Sequence, residues 1–362
     1  MTDRIAILGP EIHPPFNEGI QKSAWGIAQE LAKNKQAVLV LTQCSYGEKI
    51  TDSLNPEIVY SINSQRWRLL KYGQWLFDGW RIARRLQREK FTHLLVFSLD
   101  WSFLSPLFWT MIINRSLKIN LIIFSTRELD GLGILFLRLF KNRFSNLFPR
   151  SSHLAERLKE SGVAAERIAV VTTFPSKDQY LAPLAINNSN QLKTIAYLSN
   201  PEKSAGIYTV LAAAHACPEI NFIIAIRHFA QREEEAVTKI LAKIGKLKLD
   251  NLTVIRNIDK MVNFYKTIDA VIVPPLESRQ TMAAPLVFLE ALAAGKTVFL
   301  SSLPLFKEYE KLGIIFKDEA DLIAQIKYYH ATPDLLASFH KLGADYIKQL
   351  PDLIGAAKIY QQ

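Results

Sequence analysis

Two hydrophobic patterns alternate along the chain. Short apolar runs, typical of buried parallel strands, are followed by longer segments in which apolar residues recur at helical spacing. The first unit has a strand at Arg4 to Leu8, an amphipathic helix from about Ile20 to Lys33, and a strand at Ala37 to Thr42. Because this β-α-β order recurs through most of the chain, the pattern predicts an α/β protein with parallel sheets.

The length and the spacing of these runs predict two domains. A chain of 362 residues is long enough for two hydrophobic cores. Residues 177–192 are mostly polar and include Pro183 and three asparagines, which favours a linker. We therefore expect a first domain at 1–176 and a second at 193–345. Further buried strands are predicted at Leu94 to Phe97, Leu121 to Phe124, Lys193 to Leu198, Phe222 to Ile226, Leu252 to Ile255, Ala270 to Val273 and Thr297 to Leu300.

The most informative segment runs from residue 269 to residue 308 in the order strand, loop, helix, strand. Pro274 and Pro275 end the strand at Ala270 to Val273, because proline cannot donate to a sheet ladder. Pro285 suits the first turn of a helix, and Gly295 suits its end. The helix therefore starts at the carboxyl end of a strand, which is where open α/β sheets bind ligands. The free amides at the helix N-terminus can donate hydrogen bonds to phosphate oxygens there.

Glu290 is the lone acid on this helix. A carboxylate in apolar surroundings needs a partner, and a sugar or ribose diol would satisfy both oxygens. A solvated helix acid is the simpler alternative, which periodicity alone favours. The nearby Gly295-Lys296-Thr297 is not a phosphate-binding P-loop, since it leads from helix into strand and Glu290 stands where the motif needs glycine.

Composition indicates an ordinary globular protein, with 49% apolar and 22% charged residues. Two distant cysteines, Cys44 and Cys217, provide neither a disulfide framework nor a metal cluster. The chain enters its first strand directly, without a signal peptide, so we expect a cytoplasmic location. The apolar run from Leu94 to Ile113 contains Asp100 and Pro106, and this predicts a strand, a turn and a buried helix instead of a membrane span.

The net charge of +10 favours an anionic partner. Cations and aromatic residues interleave from Ser64 to Lys90, which is typical of docking on an anionic membrane surface, worth about 1 kcal/mol per cation. A core-packed helix with a solvated basic face is an equal alternative. RNA binding is a third, but no recognisable nucleic-acid module is present, so we expect no nucleic-acid partner.

The segment Leu289-Glu290-Ala291-Leu292-Ala293-Ala294-Gly295-Lys296-Thr297-Val298 resembles the donor-binding signature of retaining GT-B glycosyltransferases, glycosyltransferase family 4. The order of predicted elements resembles this family over essentially the whole chain. The resemblance implies two doubly wound Rossmann-like domains facing a central cleft, with the acceptor on the first and the nucleotide-sugar on the second. It also implies that Ala165 to Val171 is a strand closing the first domain, and that a C-terminal helix in 346–362 packs back on that domain.

Site residues follow from the resemblance, position by position. Glu290 matches the glutamate that holds the donor ribose, and Lys203 matches the lysine that neutralises the leaving diphosphate. Gly19 matches a glycine whose backbone approaches the diphosphate, and the backbone amide of Ile258 lies by the nucleobase. Arg127 stands where the family places a histidine near donor and acceptor. The remaining donor contacts are expected from Thr281, Met282, Leu286 and, as a substitute cation, Arg227.

The function implied by the resemblance is transfer of a sugar from a nucleotide-diphosphate sugar to a hydroxyl acceptor with retention. The acceptor would be a glycan or lipid-linked glycan of surface polysaccharide or glycolipid synthesis, at the inner face of the membrane. No Asp-x-Asp triplet occurs, so we expect no obligatory metal and diphosphate neutralisation by Lys203 and helix N-termini. Departures from the family pattern motivate the alternative, a catalytically degenerate sugar-nucleotide sensor or scaffold. They are Glu18, Arg127, Leu198 and Met282.

Overall fold

The chain forms two compact units in a computed structural model. The first unit combines Met1–Pro175 with Pro351–Gln362, and the second is Ser176–Leu350. The structure describes residues 3–10, 12, 19–34, 36–43, 68–99, 103–174, 191–199, 203–226, 231–256, 258 and 260–362. Residues 177–190 of the predicted linker lie outside this set.

The first unit is built on a parallel five-stranded sheet in the order β2-β1-β3-β4-β5. Its strands are β1 Arg4–Pro10, β2 Ala37–Gln43, β3 His93–Phe97, β4 Lys118–Ile123 and β5 Asn146–Pro149. Its helices are α1 Gly19–Lys33, α2 Arg68–Arg88, α3 Leu104–Ile113, α4 Gly131–Phe140, α5 Ser152–Glu160 and the C-terminal α12 Leu353–Tyr360. The strand β3 is buried along its whole length, as expected where helices cover both faces of a parallel sheet.

The second unit is built on a parallel six-stranded sheet in the order β11-β10-β9-β6-β7-β8. Its strands are β6 Thr194–Tyr197, β7 Asn221–Ile226, β8 Leu252–Arg256, β9 Ala270–Val273, β10 Thr297–Ser301 and β11 Ile314–Phe316. Its helices are α6 Ile207–Ala216, α7 Gln231–Leu247, α8 Met261–Tyr265, α9 Leu286–Ala293, α10 Glu319–Ala331 and α11 Leu336–Gln349. The two parallel α/β sheets confirm the predicted fold class.

The C-terminal helix α12 belongs to the first unit. It packs against α1, where Gly26 leaves room for the side chain of Leu353. At its end, the Asn120 side chain of β4 donates to the backbone oxygen of Tyr360 over 2.6 Å, and the Tyr360 ring lies 5.0 Å from that of Phe148. The chain therefore returns to its first sheet after completing the second unit.

Two expectations about the first unit have different outcomes. The apolar run from Leu94 to Ile113 forms a strand and a helix, as predicted, in β3 and α3. The predicted strand at Ala165 to Val171 is wrong, because residues 165–167 form a short 3-10 turn and only Ile168 makes a bridge to β5. The amides of Ala169 and Val171 still donate to β5, so this segment is an edge attachment. Among the described residues, no helix has the length and apolarity needed to cross a membrane.

Candidate functional site

The strand order of the second sheet reverses between β6 and β9. The chain moves from β6 to β7 and β8 on one side, and from β9 to β10 and β11 on the other. The two central strands pair in parallel, with Ala196 opposite Val271. Their following loops therefore leave the same edge of the sheet in opposite directions, and ligands of open α/β sheets bind at such a switch point. Lys203 follows β6, and the loop with Thr281 and Met282 follows β9.

Backbone contacts fix these two loops side by side. The Leu276 amide donates to the Ser204 oxygen over 3.0 Å, and the Tyr197 hydroxyl donates to the Ala205 oxygen over 3.3 Å. Gly206 has a φ of +82°, and a Cβ there would overlap the carbonyl oxygen of Pro274. Glycine is therefore needed at this position, where the Lys203 turn lies against the loop that follows β9 and where α6 begins.

Lys203 is exposed at the start of the short turn Lys203–Ala205. No carboxylate in the described part of the chain lies within ion-pair distance of it. Beyond the turn, α6 directs its first amides to the same edge of the sheet, which adds a partial positive charge. A cation and a helix N-terminus at one switch point suit a diphosphate.

Glu290 is buried in α9 with only 3% of its surface exposed. The simpler alternative, a solvated helix acid, is therefore wrong. The Tyr265 hydroxyl, at the end of α8, lies 3.3 Å from Glu290 Oε2 and 3.2 Å from the Val287 oxygen. Sequence analysis did not identify Tyr265 as this partner, although a buried tyrosine hydroxyl usually requires an acceptor.

The other predicted donor contacts of the second unit lie near the carboxyl edge of its sheet. Thr281 and Met282 are half-buried, and the Thr281 hydroxyl donates to the Met282 oxygen over 3.4 Å. Leu286 is buried as the first residue of α9, and Ile258 is half-buried after β8. Arg227 lies outside the described residues, so its role stays a prediction.

In the first unit, Gly19 and Arg127 both follow strands at the carboxyl edge of the sheet. Gly19 is buried and opens α1, while Glu18 lies outside the described residues. Arg127 is exposed in the short turn Thr126–Leu129 after β4. Within the described ranges no carboxylate pairs with Arg127, so its charge is available to an anionic ligand.

Glu128, beside Arg127, was missed by sequence analysis. Its Oε1 accepts from the amides of Phe124 over 2.8 Å and Ser125 over 3.0 Å, and its Oε2 accepts from the Leu99 amide over 2.9 Å. This carboxyl group joins the loops that follow β3 and β4. Burial raises the pKa of Glu128 to about 7, against the opposing effect of the three amides. The available signal was the capping pattern from Ser125 to Glu128.

The Gly295-Lys296-Thr297 segment lies at the opposite edge of the second sheet. It leads into β10, whose first residue is Thr297, and the Thr297 amide donates to the Asp269 oxygen over 3.3 Å. Asp269 Oδ2 accepts from the amides of Lys193 and Thr194, each over 2.9 Å, and so fastens the amino ends of β6 and β9. This placement agrees with the sequence argument against a P-loop.

Several solved structures of glycosyltransferases superpose on this chain. Sucrose-phosphate synthase from Thermosynechococcus elongatus superposes with a TM-score of 0.80 at 15% identity, covering 99% of this chain and 98% of its own. Anabaena HepE in complex with UDP gives 0.76 at 14% identity, with 99% and 98% coverage. A glycosyltransferase from Rickettsia africae ESF-5 gives 0.75 at 14% identity, with 100% and 98% coverage.

The chain has the GT-B fold. The fold predicted from the resemblance is thus confirmed over the full length. No protein-family model matches the sequence, and no curated protein does. At this low identity, structural similarity establishes the fold alone, and membership of glycosyltransferase family 4 stays a prediction.

Proposed function

We propose that the protein is a glycosyltransferase that moves a sugar from a nucleotide-diphosphate sugar to a hydroxyl acceptor with retention. The observation that carries this proposal is the switch point between β6 and β9, where the exposed Lys203 turn lies against the loop leading to Glu290. Two structures with the same fold support the choice of donor, since they are described as HepE with UDP and HepE with UDP-glucose.

Each donor group is assigned to a residue. The Glu290 carboxylate binds the ribose diol, and Lys203 binds the diphosphate together with the first amides of α6. Ile258 contributes a backbone amide to the base. The role of Gly19 in the first unit stays a prediction from the resemblance. The loop and helix residues Thr281, Met282 and Leu286 complete the donor pocket, with Arg227 as a second cation. Losing one charge-stabilising group of this kind commonly costs about 3 to 4 kcal/mol.

The proposed reaction exchanges one bond at the anomeric carbon. The bond from that carbon to the diphosphate oxygen breaks, and a bond to the acceptor oxygen forms on the same face of the sugar. The acceptor proton passes to the departing diphosphate, whose charge Lys203 stabilises, without an obligatory metal. Arg127 acts on the acceptor side by binding an anionic group, since a guanidinium does not serve as a base at neutral pH.

We assign the acceptor to surface polysaccharide or glycolipid synthesis at the inner face of a membrane. The support is α2, which forms most of the described part of the predicted basic stretch and has six lysines and arginines and one aspartate. Such a helix is attracted to anionic lipid headgroups.

Turnover and stereochemistry test the proposed activity. UDP-, GDP- and ADP-sugars are offered with candidate lipid-linked acceptors, and the anomeric configuration of the product is determined by NMR. We expect one donor to be consumed, with the same configuration in donor and product, and an unchanged rate in EDTA. Donor binding without turnover would instead indicate a sensor, and no binding would indicate a scaffold. An inverted product would contradict retention.

A further inference from the structure

Helix α4 exposes a row of leucines to solvent. Leu132, Leu135 and Leu139 are 64%, 52% and 70% exposed. Their spacing of three and four residues places them on one face of the helix. Large apolar side chains in such a row mark an interaction surface more often than isolated ones do.

A second side of α4, next to the leucine row, is already used for packing. Phe136 and Leu137 are buried, and the Phe140 ring lies 5.8 Å from the Phe108 ring of α3. The helix is therefore apolar on both sides, and burial of one side leaves the leucine row outside.

Helices α3 and α2 continue this surface. The Ser105 hydroxyl donates to the Trp75 oxygen over 2.9 Å, and the Asn114 side chain donates to the Ala83 oxygen over 2.8 Å, so α2 lies along α3. Ile112 of α3 is 48% exposed. Among the described side chains of the three helices, the exposed large apolar residues are Leu76, Phe77, Trp80, Ile112, Leu132, Leu135 and Leu139, which together we call the three-helix apolar face.

Exposed cations accompany the three-helix apolar face. The Arg84 guanidinium lies 5.7 Å from the centre of the Trp80 ring. The side chains of Arg81 and Arg88 are 68% and 81% exposed, and Arg138 of α4 is also exposed. Exposed leucine and tryptophan beside arginine suit the boundary of an anionic bilayer, where acyl chains accept the apolar groups and headgroups accept the cations.

We propose that the three-helix apolar face docks on an anionic membrane surface, with the leucines of α4 entering the acyl boundary. This deepens the proposed function and rests on it for the acceptor, because α4 follows the Arg127 turn. A lipid-linked acceptor in the same membrane would then be presented at the carboxyl edge of the first sheet. Docking itself requires no transferase activity.

Flotation of the full chain tests the docking surface. Vesicles of phosphatidylcholine mixed with phosphatidylglycerol are compared with pure phosphatidylcholine vesicles. We expect wild type to float with the anionic vesicles only, and added salt to weaken this binding. Combined substitution Leu132→Ser, Leu135→Ser and Leu139→Ser lowers the vesicle partition coefficient about tenfold or more, because the leucine side chains no longer leave water.

A matched variant controls for the loss of surface leucines. Leu241, Leu335 and Leu342 of the second unit are 45%, 45% and 47% exposed. Changing all three to serine is expected to leave flotation unchanged. Thermal melting and calorimetric donor binding without vesicles are measured for both variants. Retained donor binding in the α4 variant separates a docking defect from failure of the proposed transferase.

Four flotation results would overturn the docking surface. They are no flotation of wild type, equal flotation with neutral vesicles, equal loss in the two leucine variants, and flotation of the α4 variant at the wild-type level. A wild-type dimer that becomes monomeric on changing the α4 leucines would likewise overturn it, since the face would then join two copies of the chain.

Discussion

Glu290 of α9 and Tyr265 of α8 form a buried polar pair in the second unit. A carboxylate in this position can serve as the acceptor for the tyrosine hydroxyl, or as a ligand for the donor ribose, or as both. Two substitutions distinguish these roles. Tyr265→Phe removes the tyrosine hydroxyl, and Glu290→Gln removes the negative charge. Donor affinity therefore separates them.

We predict that Glu290→Gln lowers donor affinity about tenfold to a hundredfold, the range expected for a hydrogen bond to a charged group. Tyr265→Phe should lower it by less than about threefold, because the carboxylate stays in place. Isothermal titration with the accepted nucleotide-sugar measures both, and thermal melting confirms folding. Equal losses in the two variants would mean that Glu290 acts only as the structural partner of Tyr265.

Glu128 predicts a pH dependence of stability. Its pKa is raised from 4.5 to about 7 in the folded chain, so folding favours the protonated form. The stabilising contribution is complete below the unfolded pKa and is lost as pH rises through the folded pKa. Relative to Glu128→Gln, wild type should therefore lose about 2 kcal/mol of unfolding free energy between about pH 5 and about pH 8.

Urea unfolding of wild type and Glu128→Gln at both pH values measures this difference. The glutamine variant is the control for wild type, since its side chain cannot titrate at this position. If wild type instead became more stable than Glu128→Gln as pH rises, the amides of Leu99, Phe124 and Ser125 would dominate and keep the carboxylate charged.

At the residue scale, the sequence identified candidate site residues but did not predict the burial or the hydrogen-bond partners of their side chains. Glu290 and Lys203 were predicted from a motif. Lys203 follows β6 at the carboxyl edge of the second sheet, and Glu290 lies in the second turn of α9, a helix that follows β9. The burial of Glu290 was not predicted, because helical periodicity places it on α9 without showing that α8 covers it. Glu128 was missed for a similar reason, since its three amide partners come from loops after two different strands.

At the element scale, Gly206 determines the position of the Lys203 turn. We predict that Gly206→Ala lowers donor affinity more than about tenfold. The positive φ costs a side chain about 1 to 2 kcal/mol, and relief of the overlap with Pro274 must displace the turn. The matched control is Gly245→Ala, on the exposed side of α7, where no atom lies within 4 Å of the added Cβ.

Titration calorimetry and melting curves compare the two glycine variants. Gly245→Ala should bind donor like wild type and melt at the same or a higher temperature, since alanine favours a helix. Unchanged donor affinity in folded Gly206→Ala would show that the turn has no part in the donor site.

Most elements could be predicted because β-α-β chains alternate buried strands with amphipathic helices. The strand at residues 165–171 was the exception, since the sequence pattern does not reveal that residues 165–167 form a 3-10 turn and that only Ile168 makes a bridge to β5. Helix α4 shows a different limit. Its apolar residues surround the helix axis, so periodicity cannot tell which side packs on α3 and which side remains exposed.

At the scale of the whole molecule, the GT-B fold accounts for the order of all the described elements and for the return of α12 to the first unit. The fold does not determine the donor or the acceptor, because loop side chains do so. The departures at Arg127, Leu198 and Met282 therefore bear on activity and not on architecture. Of these, Arg127 supplies a fixed positive charge where the resemblance to glycosyltransferase family 4 predicts a histidine.

The central claim is that Lys203 and Glu290 bind an activated sugar at the switch point of the second sheet. Isothermal titration of UDP-, GDP- and ADP-sugars into wild type, Lys203→Ala and the control Lys246→Ala tests it most directly. Lys246 is an exposed lysine of α7. We predict that wild type and Lys246→Ala bind one of these donors equally, and that Lys203→Ala binds it about a hundredfold more weakly. Equal affinity in all three proteins, or no binding of any donor to wild type, would contradict the claim.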